Sequence, residues 1–164
     1  MTFLALNLIL AIIWMFLWGA FSFGGFLFGL VVGYIVLFGA QPFLASGRYI
    51  RGTTGSLVLI AVFLYDLVVA NLLLAREILR PRPDLKPAVY ALQVPELTPG
   101  QSVLLGNMIS LTPGTLTVDN DRDTQTLYIH TIFATRPEAT MEGARKFARL
   151  IVRASGGPVE EVTR

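Results

Sequence analysis

The sequence contains no cysteine and a single histidine, His130, among its 164 residues. The missing cysteines exclude disulfides, thiol chemistry and thiolate metal sites. A zinc site would have to draw its remaining ligands from carboxylates, and the sequence does not arrange carboxylates in that way. It also has no glycine-rich phosphate loop and no nucleophile motif. We therefore expect no catalytic residues, no metal and no cofactor, and His130 is interpreted as an ordinary residue of a strand.

Charge is scarce in the first half of the chain. Before Arg76 only Arg48, Arg51 and Asp66 are charged, and the whole sequence is 54% hydrophobic but only 15% charged. A globular protein usually carries about a quarter of charged residues. The net charge of +2 is too small to indicate nucleic-acid binding. The basic residues that follow the apolar half are better explained by contact with anionic lipid headgroups than by nucleic-acid binding. The pattern predicts a membrane half, residues 1–80, and a water-soluble half.

The uncharged stretch 1–47 is long enough for two membrane helices, since about 20 residues cross the hydrocarbon core. The break at Gly19–Gly25 predicts helices at about 3–18 and 26–44. The first is short, so a hairpin that does not cross fully is an open alternative. A third apolar helix is predicted at 56–79. A signal peptide is not expected, because the start has no basic residue and the hydrophobicity continues.

Glycines at positions 25, 29 and 33 share one face of the second predicted helix. This spacing is typical of helices that pack closely in lipid. Glycine is also common in membrane helices without such a role. We expect Gly25, Gly29 and Gly33 to form a packing face for another helix, including helices of partner subunits.

The third predicted helix contains two polar residues, Asp66 and Asn71. A carboxylate inside a membrane costs several kcal/mol unless it is paired, protonated or hydrated. One interpretation is a site that faces partner helices, near a proton or ion path. The other is a helix that lies oblique or at the interface and leaves Asp66 solvated.

The membrane topology is ambiguous from sequence. The basic cluster from Arg76 to Lys86 predicts that the following domain is cytoplasmic. Arg48 and Arg51 favour the same side for the preceding loop, which cannot hold if the third helix crosses. Either the weaker pair is overruled, or one helix is re-entrant or interfacial. The third helix lacks a clean polar face, which favours a crossing.

The polar half begins with a proline-rich connector at 81–87, which cannot continue a helix. Alternating and helical periodicities then predict a small α+β domain at 88–154 with the order β-α-β-β-α. Asp119–Asp123 is predicted to be a polar turn between two strands, and it lacks the glycine and glutamate of a calcium loop. The tail 155–164 is expected to be flexible. The predicted fold class is thus a membrane α-helical half with two to three embedded helices, plus an α+β domain.

One segment, Leu104–Asp119, reads Leu-Leu-Gly-Asn-Met-Ile-Ser-Leu-Thr-Pro-Gly-Thr-Leu-Thr-Val-Asp. It closely resembles the signature of the E subunit of Mrp-type multisubunit sodium–proton antiporters. The resemblance extends over essentially the whole chain, and its other carriers are Trp14–Leu17, the pair Asp66 and Asn71, and Leu127–His130.

The resemblance implies a complex in the bacterial cytoplasmic membrane that exchanges internal sodium for external protons. It implies a multi-pass accessory subunit, not an enzyme, with a cytoplasmic C-terminal domain. The implied partners are large complex-I-like subunits, small membrane subunits and the lipid bilayer. Asn107, Thr112, Pro113 and Gly114 would shape the turn between a helix and a strand. Two alternatives are a direct part of Asp66 in ion movement and a stand-alone, membrane-tethered binding domain.

Overall fold

The structure is a computed structural model that describes residues 2–19, 21–40, 43, 47–83, 85–132 and 137–155. Membrane-type helices are followed by a small α+β domain, which confirms the predicted fold class and the order β-α-β-β-α. Residue 44, the predicted end of the second helix, and 156–164 of the predicted tail lie outside the described residues. The elements are α1 (Thr2–Trp18), α2 (Phe23–Gly39), α3 (Gly47–Ile78), β1 (Ala88–Gln93), α4 (Pro99–Leu111), β2 (Thr115–Asp121), β3 (Thr126–Thr131) and α5 (Pro137–Ala154).

The chain divides into two compact units, Met1–Thr54 and Gly55–Arg164. In the first unit, α1 and α2 form a hairpin of two 17-residue helices. The turn between them contains Gly19 at a φ of 66°, and the Ser22 hydroxyl caps α2 by accepting from the Gly25 N–H at 3.1 Å. At 1.5 Å per residue each helix is about 25 Å long, less than the ~30 Å of a hydrocarbon core.

The third helix, α3, is 32 residues long and begins nine residues before the predicted start at 56. The polar stretch before Gly55 stays helical because Thr53 and Thr54 donate their hydroxyls to the carbonyls of Tyr49 and Ile50, at 2.9 and 2.8 Å. Among the described helices, Tyr49–Ile78 has the length and composition to cross a membrane. The apolar helices of the hairpin are shorter.

The α+β domain is built on a three-stranded antiparallel sheet in the order β1-β3-β2. The helices α4 and α5 supply the other side of its core, whose most deeply buried side chains include Leu92, Leu105, Leu127, Ile129 and Ile151. The start of α4 is fixed by a capping box between Thr98 and Gln101. Such boxes satisfy backbone donors that a helix end would otherwise leave free.

The prediction that Asp119–Asp123 is the turn between the two strands was right for residues 122 and 123 and wrong for Asp119–Asp121. β2 continues to Asp121, and the turn comprises residues 122–125, with Gln125 at a φ of 50°. A bulge between Thr117 and Asp119 shifts the register, so the strand accommodates an extra residue. Asp121 then closes the turn by accepting the Thr124 hydroxyl at 2.7 Å and the backbone N–H of Asp123 at 2.9 Å. These hydrogen bonds, first that of the Thr124 hydroxyl, lower the pKa of Asp121.

Candidate functional site

Asp66 lies on the face of α3 that packs against α5. Its Oδ2 accepts from the Lys146 Nζ at 2.8 Å, and the side chains of Asp66 and Lys146 are 26% and 44% exposed. Within the same seam, the Phe63 and Phe147 rings meet edge to face with centroids 6.0 Å apart. Asp66 is therefore not surrounded by apolar groups, because Lys146 of the α+β domain supplies its counter-ion.

The two helices approach most closely at Gly55. A Cβ at this position would lie 2.7 Å from the carbonyl oxygen of Arg153 and 2.9 Å from the Cα of Ala154. Any side chain here would force the helices apart, since real Cβ atoms do not come so near to backbone. Leu59, one turn later, belongs to the buried core of the α+β domain.

A cavity of about 180 Å³ lies beside the ion pair. It brings Asp66 together with Thr112, two predicted site residues that are far apart in the sequence. Thr115 and Thr140 add hydroxyls to the lining, and the rest of it is largely apolar. Within the described residues, no three His, Cys, Asp or Glu side chains are grouped so that they could hold a metal ion.

The turn after α4 is stabilised by threonine hydroxyls that satisfy the helix end. Thr112 donates its hydroxyl to the Met108 carbonyl at 2.9 Å, and Thr115 donates to the Ile109 carbonyl at 2.7 Å. Gly114 has a φ of 89°, a conformation that favours glycine. Its carbonyl accepts from the Ile132 N–H at 3.0 Å, which anchors the turn to the end of β3.

The rest of the signature segment joins α4 to β2 side by side. The Ser110 hydroxyl donates to the Gly106 carbonyl at 2.9 Å and accepts from the Thr117 N–H at 3.0 Å. The Thr117 hydroxyl donates to the same Gly106 carbonyl at 3.0 Å. Ser102 reaches further along β2 and donates to the Asn120 side chain at 2.8 Å. The spacing of hydroxyl residues in this segment thus has a structural explanation.

Two other members of the predicted site lie away from the cavity. Asn107 is exposed on α4, and Asn71 is exposed on α3 and donates its amide to the Leu67 carbonyl at 2.7 Å. Asn71 is five positions after Asp66, so the two point about 140° apart around the helix. Pro113 is half-buried next to Thr112. The structure does not bring Asp66 and Asn71 together.

The glycine face of α2 is used inside the chain. A Cβ at Gly29 would lie 2.8 Å from the Ala11 carbonyl oxygen, and one at Gly33 would overlap the Asn7 side chain. Gly25 lies near the turn, in a recess of about 320 Å³ that it shares with Trp14 and Trp18. At Gly29 and Gly33 the close neighbour is therefore α1, and the expected docking of a partner subunit's helix on these two glycines is corrected.

Sequence reasoning missed a polar cluster in the first unit. The Asn7 amide is buried and donates to the Tyr49 hydroxyl at 2.8 Å, and the Tyr34 and Thr54 hydroxyls are 2.8 Å apart. In the part of the chain that the structure describes, the buried Asn7 Oδ1 has no hydrogen-bond partner. A lone amide in an otherwise apolar helix was the available signal.

Comparison with known proteins places the chain in a family. A family model described as "Na+/H+ ion antiporter subunit" matches residues 7–154, most of the sequence. The chain belongs to this family. Its members are components of transporters, and the resemblance to the E subunit of Mrp-type antiporters is confirmed.

Curated members of the family resemble the chain over most of its length. The E subunit of the Na(+)/H(+) antiporter of Alkalihalophilus pseudofirmus is 35% identical over 127 residues, 77% of this chain and 80% of that protein. The corresponding E subunit of Bacillus subtilis is 32% identical over 125 residues, 76% of this chain and 79% of that protein. The E1 subunit of Staphylococcus saprophyticus is 30% identical over 150 residues, 92% of this chain and 94% of that protein.

One solved structure resembles the chain as well. It is a chain of the membrane-bound sulfane sulfur reductase, an archaeal respiratory membrane complex, with 25% identity and a TM-score of 0.49. The match covers 91% of this chain and 98% of the other.

Proposed function

We propose that the chain is a non-catalytic accessory subunit, which supports the assembly of a multisubunit cation–proton antiporter in the bacterial cytoplasmic membrane. Its α+β domain faces the cytoplasm, on the side favoured by the basic residues Arg76, Arg80, Arg82 and Lys86. The large complex-I-like subunits and the small membrane subunits of such a complex are its proposed partners.

The observation that carries the proposal is that the polar groups of the signature segment serve the chain's own structure. The hydroxyls of Ser110, Thr112, Thr115 and Thr117 all donate to carbonyls of α4. Asp66 accepts from the Lys146 ammonium group. A transporter that acts alone needs helices around a site at the middle of the membrane. Three apolar helices, two of them about 25 Å long, do not supply that enclosure.

The outer surface of the first unit supports a role among other membrane proteins or lipid. Large apolar side chains are exposed along both helices of the hairpin, among them Phe16, Leu17, Phe23 and Phe38. An apolar surface of this extent is typical of a protein that is covered by lipid or by partner subunits. Because α1 already packs on Gly29 and Gly33 of α2, partner contacts are proposed on these large side chains.

The proposal is tested by isolating the tagged chain from its native membrane in mild detergent, with quantification of the proteins that accompany it. Large antiporter subunits are expected in constant ratio to the chain. The variant Thr112→Val removes a hydroxyl from the end of α4, and Asn107→Ala changes an exposed residue of the same segment as a matched control. We expect Thr112→Val to lower complex yield and sodium resistance together. Normal complex and normal resistance in Thr112→Val would refute the assembly role.

A second candidate function is direct participation of Asp66 in cation or proton movement. It is favoured by the 180 Å³ cavity, where hydroxyl oxygens of Thr112 and Thr115 lie on the same lining as the carboxylate. Two variants separate the candidates, Asp66→Asn and Lys146→Gln. An ion-path role predicts that Asp66→Asn lowers transport per assembled complex and that Lys146→Gln does not abolish it. A structural role predicts that both variants act only on the amount of complex.

A further inference from the structure

The α+β domain follows α3 in the sequence but also reaches back along it. The chain leaves α3 at Ile78 and enters the domain at Ala88. The last turn of α5 nevertheless contacts α3 at Gly55, where a Cβ would lie 2.7 Å from the Arg153 carbonyl oxygen. The 24 residues from Gly55 to Ile78 are 23 helical steps, which correspond to about 35 Å of helix. The domain is thus connected to one end of this length and packed against the other.

This arrangement conflicts with a membrane crossing by α3. If residues 56–79 spanned the bilayer, Gly55 and Ile78 would lie on opposite sides of a hydrocarbon core about 30 Å thick. The domain would have to extend through that core to contact both. The helix α5, which carries Arg145, Lys146, Arg149 and Arg153, would then lie in hydrocarbon. Each such charge costs about 2.5 kcal/mol or more at the membrane centre.

A shorter crossing is excluded by length. The ion pair fixes α3 to the domain up to Asp66, and only twelve helical residues, from Leu67 to Ile78, follow it. Twelve residues give about 18 Å, well short of the hydrocarbon thickness. The apolar composition of α3 therefore requires an explanation other than a crossing.

The face of α3 opposite the domain provides that explanation. This leucine face consists of side chains at helical spacing that are each 53 to 66% exposed: Leu57, Leu64, Val68 and Leu72. The other face, with Gly55, Leu59, Phe63 and Asp66, packs on the domain or is paired with it. A helix that is apolar on one side and covered by a water-soluble domain on the other fits the plane of a membrane surface.

We infer that α3 lies in the plane of the membrane surface, with its leucine face in the lipid and the α+β domain on its water side. Charge favours lipid as the occupant of this face. Both acidic residues of α3 are paired with a cation: Asp66 pairs with Lys146, and Glu77 pairs with Arg80. Arg76, Arg82 and Arg153 are exposed around them, which suits anionic headgroups. The inference rests on the membrane location of the family and does not depend on the accessory role.

An in-plane α3 also reconciles the two basic clusters. A helix that does not cross leaves its two ends on the same side of the membrane. Arg48 and Arg51 near its start, and the basic residues from Arg76 to Lys86 at and beyond its end, then all obey the positive-inside preference. The conflict that the sequence left open disappears.

The test is a depth measurement with nitroxide labels. The chain has no cysteine, so single cysteines can be introduced at Leu57, Leu64, Leu72 and Leu79, which are all exposed. The complex is purified with each labelled chain and reconstituted in vesicles with anionic lipid. Collision with oxygen and with a water-soluble nickel chelate reports depth. The complex with the unlabelled chain gives the background, and a label at Arg122, in the exposed turn after β2, gives the aqueous reference.

We expect the four labels to report high oxygen access and one shallow depth. A crossing helix would change depth by about 22 Å over the 15 helical steps from Leu57 to Leu72, and such a profile would overturn the inference. Low access to both reagents would overturn lipid as the occupant and indicate a partner protein. The four labels are independent, so the failure of one variant to assemble leaves the comparison intact. A labelled complex that assembles but has lost antiport, with an unchanged depth profile, would count against the accessory role. The in-plane position of α3 would still stand.

Discussion

The α1–α2 hairpin and the α4–β2 junction hold neighbouring elements together in different ways. In the hairpin, glycines allow the backbones to touch, and a Cβ at Gly29 would overlap the backbone of Ala11. In the junction, hydroxyls of Ser110 and Thr117 join a helix to a strand above a buried apolar core. In lipid there is no hydrophobic driving force for helices to associate, so the hairpin depends on close van der Waals packing. In the α+β domain the hydrophobic effect drives formation of the core, and hydrogen bonds fix the position of α4 along β2.

The largest effect is expected from filling the glycine face. Gly29→Ala places a methyl group against the Ala11 backbone, which cannot give way as a flexible side chain could. We expect a loss of about 3 kcal/mol in hairpin stability and a marked fall in chain abundance in the membrane. Gly39→Ala, where a Cβ meets nothing within 4 Å, is the matched control. Equal abundance of the two variants would remove the contrast between the regions.

A smaller loss is expected from the hydroxyls of the junction. Thr115→Val keeps the shape of the side chain but removes the shorter of two hydrogen bonds to the Ile109 carbonyl, which still accepts from the Thr112 N–H at 3.1 Å. The expected cost is about 1 kcal/mol, measured as a lower midpoint of thermal unfolding of the purified protein. Thr124→Val, which removes a hydroxyl that donates to Asp121 in the exposed turn, is the comparison for a hydrogen bond that water can replace. If Thr115→Val were as stable as the wild type, the hydroxyls would not fix the junction.

Glycine in the junction should behave oppositely to glycine in the hairpin. A Cβ at Gly106 would lie 3.4 Å from Thr117 Cγ2, an ordinary contact. Because alanine is a better helix former by about 1 kcal/mol, Gly106→Ala should leave the domain as stable or slightly more stable. The check is to measure the midpoint of thermal unfolding of Gly106→Ala and of Gly29→Ala, each against the wild type. A destabilised Gly106→Ala would mean that close backbone approach matters in both regions.

The Asp66–Lys146 pair should contribute little to stability. Both side chains are partly exposed, and exposed pairs are worth about 0.5 kcal/mol. A double-mutant cycle with Asp66→Ala and Lys146→Ala, followed by chemical unfolding, measures the coupling. A coupling above ~2 kcal/mol would indicate that lipid or a partner shields the pair from water.

The smallest effect concerns Asp121 and acid. Its hydrogen bonds lower the pKa in the folded state, so the carboxylate stabilises the fold above its unfolded pKa of about 3.9. This contribution is lost as the pH falls through the lower, folded pKa. Asp121→Ala should therefore unfold at a lower temperature than the wild type at pH 7, and the difference should vanish in strong acid. A difference that persists in acid would point to a cause other than the carboxylate.

The sequence predicted the element types well and their junctions less well. Hydrophobic runs and period-two patterns reveal helices and strands locally, so the order β-α-β-β-α was within reach. The bulge between Thr117 and Asp119 depends on pairing with β3 and has no local signal, so the turn was misplaced. The same limit applies to the candidate site. Asp66 stood out as a charge in an apolar helix, but Lys146 lies 80 residues later and only the fold pairs them.

The seam between α3 and α5 has a consequence for biosynthesis. α5 is the last described element to leave the ribosome, and Lys146 is synthesised 80 residues after Asp66. At about 5 to 20 residues per second this takes roughly 4 to 16 seconds. During that interval the nascent α3 has no domain to cover it, and the lipid surface is the apolar environment within reach. With α3 in the membrane surface, as inferred above, we expect membrane attachment to precede completion of the α+β domain, which then folds onto a helix that is already in place.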